Sequence, residues 1–81
     1  MKNGVFINNE QREIFFLLAA EIFECPREEL SPATRRGSVP CWDSINHLRL
    51  VMEAERRLGV RYALEEIPAL ETLGDFLDKI Q

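Results

Sequence analysis

The sequence predicts an all-α domain built from three main helices and one short one. Apolar residues return at three- and four-residue steps in three separate stretches, as on one side of a helix, and no stretch alternates apolar and polar residues with the two-residue period of a strand. The four prolines fall between those stretches. A chain of 81 residues, 46% hydrophobic and 30% charged, is sized for a single domain around one modest core. Residues 1–8 read as a flexible N-terminal lead-in and residues 9–81 as that domain.

The first helix is expected over Asn9–Glu24, a run free of glycine and proline, with Asn8 or Asn9 able to accept hydrogen bonds from the first-turn amides. On a helical wheel Phe15, Leu18, Ala19, Ile22 and Phe23 share one arc, while Glu10, Glu13, Glu21 and Glu24 face away; Leu17 falls among the acids. Pro26 ends the run. Residues 25–42, with Pro32, Gly37 and Pro40, form a long connection that Leu30 and Val39 are expected to pin to the core. The second helix should run from Asp43, as N-cap, to about Leu58, closed by Gly59 in the left-handed conformation. After "GVRY", the segment "ALEEIP" has room for a turn or two of helix before Pro68. The last helix opens with Thr72 and Asp75 as a capping pair and buries Leu73, Phe76, Leu77 and Ile80.

Fourteen acidic against ten basic side chains disfavour a nucleic-acid partner, and the short "RRG" at 35–37 does not reverse that. Cys25 and Cys41 stand 16 positions apart without a C-x-x-C pair or a histidine cluster, so they read as free thiols and not as a zinc or disulfide framework. The apolar run "IFFLLAA" is too short to cross a bilayer, and the "NNEQRE" around its start is not a basic secretory leader. A cytoplasmic monomer without a membrane anchor is expected.

The second helix carries more apolar surface than a small bundle needs. Leu50, Val51, Ala54 and Leu58 make one arc; Ile45, Leu48 and Met52 make another, with Ser44 at its N-terminal end. Either the helix is central and buried nearly all round, or the second stripe is offered to something that binds near Ser44. A serine in a helix's first turn is well placed to bear a phosphoester, because the unpaired amides and positive dipole end favour a phosphate by about 0.3–1 kcal/mol.

"DSINHLRLVMEAERRLGV" resembles the DSL segment and second helix of acyl carrier proteins. Together with "ECPREEL", "EEIP" and "LETLGDFLDKI" in the same order, the resemblance runs from about Glu10 to Ile80. It implies a four-helix bundle whose Ser44 carries 4'-phosphopantetheine, donated by coenzyme A through a separate magnesium-dependent phosphopantetheinyl transferase. The arm's thiol would hold acyl or aminoacyl groups as thioesters. The chain would then be a non-catalytic substrate of loading, acyl-transfer and condensing enzymes. Asp43 would cap the helix and present Ser44, His47 would flank the arm's phosphate, and Ile45, Leu48, Arg49, Met52 and Arg56 would face partner enzymes.

The sequence departs from the fatty-acid type at two places. "VPCW" puts Trp42 beside the attachment point, where it is expected to close the end of the bundle; with His47 this resembles stand-alone carriers of secondary-metabolite, polysaccharide or aminoacyl pathways. The second helix balances Asp43, Glu53 and Glu55 against Arg49, Arg56 and Arg57, where an acidic surface is usual, which points to different partners and to Arg49 as a specificity residue. Two other readings remain: an interaction module of the same fold without the cofactor, and a dimer joined through Ile14, Phe16 and Leu17. A hydrolase pair of Ser44 and His47 lacks an orienting carboxylate and an oxyanion hole.

Overall fold

A computed structural model describes residues 9–80. The described chain is all-α: α1 (Asn9–Phe23), α2 (Ser44–Leu58) and α3 (Leu73–Asp78), with single 3-10 turns at Arg27–Glu29, Arg36–Ser38 and Ile67–Ala69. No strand forms among these residues; an isolated antiparallel bridge joins Arg35 to Thr72. The expected lead-in over residues 1–8, and Asn8 as a cap, lie outside the described residues.

α1 buries Phe15, Leu18, Ala19 and Phe23 as the wheel requires, and also Phe16 and Ala20. Phe16 is covered from outside by Arg27, whose guanidinium lies 4.2 Å from the ring centre and also grips the Glu13 carboxylate through two bonds of 2.7 and 2.9 Å. This removes Phe16 from the apolar surface proposed for a dimer; Ile14 packs partly against the core, and Leu17 alone of the three stands exposed. The helix stops before Pro26 acts. Glu24 turns left-handed at φ 56°, so that Cys25 N–H reaches the Ala20 carbonyl and Glu24 N–H the Glu21 carbonyl, closing the last turn on itself.

The long connection is pinned as expected, with Leu30 buried and Val39 packed on the core. Its backbone also receives the start of α3: Leu73 N–H donates to the Thr34 carbonyl and Gly74 N–H to that of Pro32. Thr72 and Asp75 form the capping box, and two backbone bonds, Glu71's first, hold the Asp75 carboxyl below its ordinary value. The first three amides of α3 are thereby satisfied, two by a segment some forty residues earlier.

The short element differs in detail from expectation. Leu64–Glu66 form a turn, and the 3-10 turn that follows includes Pro68 instead of stopping before it. Proline is tolerated there because an amide in a first turn needs no helical acceptor.

Phe76 of α3 is the meeting point of the core. Its ring lies 5.5–5.6 Å from those of Phe15, His47 and Tyr62 and 6.3 Å from that of Trp42. The Tyr62 hydroxyl donates to the Phe76 carbonyl at 3.0 Å, and burial pushes that phenol well above its ordinary pKa.

Two substitutions test this backbone account. A Cβ on Gly74 would sit 2.9 Å from the Pro32 carbonyl oxygen, a backbone atom that cannot swing aside. Gly74→Ala should therefore destabilise by about 1–2 kcal/mol in urea unfolding, against the gain that helix propensity alone predicts. Glu24→Gly should do the reverse, raising stability by about 0.5–1 kcal/mol as the left-handed strain is removed.

Candidate functional site

Asp43 caps α2 by accepting from the Asn46 amide at 2.8 Å, and its carbonyl receives His47 N–H at 2.8 Å. Ser44 is thus the first helical residue, and its side chain is exposed. Its own amide and that of Ile45 donate to no described group, which leaves two N–H groups and the positive end of a four-turn helix beside the hydroxyl. A phosphate on Ser44 fits this setting without moving any buried atom. The carboxylate of Asp43, the preceding residue, accepts the Asn46 amide in the cap.

The turn that carries Ser44 is held from three sides. Besides the Asp43 cap, the Asn46 side-chain amide donates to the Cys41 carbonyl at 2.7 Å. The Trp42 indole N–H donates to His47 Nδ1 at 2.9 Å, and His47 Nε2 lies 2.7 Å from the Ile67 carbonyl. An indole nitrogen can only donate, so Nδ1 must accept and the imidazole proton sits on Nε2, which donates to Ile67. Trp42 stacks on Phe23 at 4.9 Å and closes the end of the helical core, as its position suggested.

His47 is the one expected site residue that the structure turns away. Only 3% of it is exposed, so it is neither a surface histidine nor a neighbour for a phosphate on Ser44. Both ring nitrogens are committed inward, and burial holds its pKa below the ordinary value. The Ser44–His47 nucleophile and base are accordingly not assembled.

The remaining expected residues come together on the outer side of α2. Ile45 is 71% exposed, Met52 63% and Leu48 50%, while Leu50, Val51 and Ala54 are buried, so the two apolar arcs part cleanly between core and surface. With Arg49 the three exposed side chains line a shallow recess of about 280 Å³. Arg56 is exposed and pairs with Glu53 at 3.3 Å. Cys25 and Cys41 are free and half-buried, and burial raises the Cys25 thiol above its ordinary pKa, which keeps it protonated and a poor nucleophile.

Sequence reasoning missed Asn46 and the inward role of His47. The signal for His47 was present: it stands three, four and seven residues before Leu50, Val51 and Ala54 and so belongs to their arc. No comparable pattern marks the Asn46–Cys41 bond, which depends on how the connection enters the helix. No family model matches the sequence, and no curated protein matches it. Among the described residues no helix is long and apolar enough to cross a membrane, and no cluster of three metal-binding side chains occurs.

The buried imidazole sets a pH dependence. The unfolded chain binds a proton near pH 6.5 and the folded chain only at lower pH, so between those values the unfolded state holds more protons and stability rises with pH. The contribution is complete above about pH 6.5 and is lost as pH falls through the folded value. Because His47 is the sole histidine, melting temperature should drop from pH 7 towards about pH 5 in the wild type and stay flat in His47→Gln, which is less stable throughout. An imidazole resonance titrating at the ordinary value would contradict this.

Proposed function

We propose that the protein is an acyl carrier of the four-helix type, with 4'-phosphopantetheine attached to Ser44 and acyl or aminoacyl groups carried as thioesters. What carries the reading is the setting of Ser44: an exposed residue at the first position of a capped helix, beside two amides with no acceptor among the described residues and at the head of an exposed apolar stripe. Three α-helices and a short 3-10 turn in the order expected of such a bundle support it.

Each residue has a distinct part. The Asp43 cap fixes where the helix begins and therefore where the hydroxyl projects. Asn46, Trp42 and His47 hold that turn against the connection and the core. The Ser44 proton must leave to a base on the transferase, since His47 faces inward and Asp43 is bonded to the Asn46 amide. The terminal thiol of the bound arm supplies the thioester link to the cargo. Ile45, Leu48, Arg49, Met52 and Arg56 form the face that docks partner enzymes, and each apolar side chain covered there is worth on the order of 1 kcal/mol or more. The balanced charge of α2 with its cap suits partners other than standard fatty-acid synthase enzymes, and the Trp42–His47 pattern suits a secondary-metabolite, polysaccharide-modifying or specialised fatty-acid or polyketide pathway.

Incubation with coenzyme A, magnesium and a broad-specificity phosphopantetheinyl transferase should add one phosphopantetheine by intact mass. Ser44→Ala should abolish the addition while leaving the helical circular dichroism unchanged. Unmodified wild-type chain after treatment with several active transferases would sink the proposal and favour a cofactor-free interaction module.

A further inference from the structure

The formal balance of three acids and three arginines over α2 and its Asp43 cap hides an asymmetry in what the helix offers outward. Every acid is engaged: Asp43 by the Asn46 amide, Glu53 by Arg56 and Glu55 by the Tyr62 amide at 2.9 Å. The side chains of Arg49 and Arg57 form no ion pair or hydrogen bond with any described residue. Arg49 is also shared by two hollows. It borders the apolar recess with Ile45, Leu48 and Met52, and it lines the wider groove of about 390 Å³ between α1 and α2. Glu21 and Glu24 line that groove too, on the α1 side, without pairing to Arg49. The apolar recess itself holds no acid.

From this arrangement we infer that the outer face of α2 docks a protein surface bearing a carboxylate beside an aliphatic side chain, the aliphatic group entering the recess and the carboxylate meeting Arg49. The inference rests on the docking role given to this face above, and it adds the sign of the partner's charge. A guanidinium offers a carboxylate two parallel bonds, and at the rim of an apolar recess it is partly shielded from water when covered, so it selects an acid over a base. The chain as a whole carries a net charge of −4. Long-range attraction therefore works against an acidic partner, and its binding has to come from this local patch.

The test uses two synthetic amphipathic helical peptides with the same leucine spacing, one with glutamates and one with lysines flanking the leucines, titrated into the ¹⁵N-labelled full chain carrying Ser44→Ala. The glutamate peptide should shift the amide resonances of residues 45–56 saturably. Arg49→Glu should weaken it by about tenfold and improve the lysine peptide, with Arg49→Ala intermediate. Tighter binding of the lysine peptide, no saturable binding of either, shifts centred away from α2, or indifference to Arg49→Glu would each overturn the inference. Because Ser44→Ala cannot carry the arm, docking and arm addition are scored separately. Failure of the wild type to accept phosphopantetheine sinks the carrier reading, whereas the wrong charge preference sinks this one alone.

Discussion

The arrangement around Ser44 depends on one buried imidazole being satisfied at both nitrogens. His47 receives the Trp42 indole proton and donates its own to the Ile67 carbonyl, so a single side chain ties the start of α2 to the connection before it and to the 3-10 turn after it. Each bond adds only about 0.5–1.5 kcal/mol net, but leaving the indole N–H or the imidazole N–H buried and unpaired costs about 1–3 kcal/mol each, whereas the Ile67 carbonyl also accepts the Leu70 amide. That asymmetry makes the relay a constraint on geometry more than a source of stability: Trp42, His47 and Ile67 must arrive together or not at all. The position of the Ser44 hydroxyl follows from it, because Trp42 and His47 bracket residues 43–46 and hold the cap open to solvent.

Phe76 extends this constraint to the rest of the molecule. It contacts His47 edge-on and also touches Trp42, Phe15 and Tyr62, so the six-residue α3 is held by aromatic packing more than by its own length. A helix of that size is unstable alone in water. It persists because Thr72 and Asp75 cap it, and because the carbonyls of Pro32 and Thr34 accept its first amides. Gly74 is the sequence's concession to that docking, since only a residue without a side chain lets the Pro32 carbonyl come so close.

Much of this was legible in the residues. The caps Asp43 and Thr72, the left-handed Gly59 and the division of α2 into a core arc and an outer stripe are all local patterns, set by a period of 3.6 and by the chemistry of helix ends, and the structure repeats them. What escaped was non-local. Phe16 looked like surplus apolar surface because nothing in its neighbourhood announces that Arg27, beyond the end of the helix, will fold back over it. Glu24 took the left-handed position where Pro26 was expected to be the terminator, because helix closure is decided one residue at a time and glutamate can adopt that conformation at modest cost. His47 was legible and misread: its spacing from Leu50 and Val51 marked it as core, but a polar side chain near a candidate serine invited a chemical role.

The same helix shows why sequence charge is a poor guide to surface charge. Counted with its Asp43 cap, α2 is neutral. Counted by engagement, its acids serve the fold, one as a cap, one as an acceptor for the Tyr62 amide and one as a partner to Arg56, while Arg49 serves nothing within the described chain. A carboxylate that accepts a backbone N–H keeps its charge but has its oxygen turned to that amide, whereas a guanidinium at the edge of an apolar recess waits for a partner that removes water from it. Neutral composition can therefore accompany a face with a definite electrostatic preference, and the preference sits where the exposed apolar groups already direct contact.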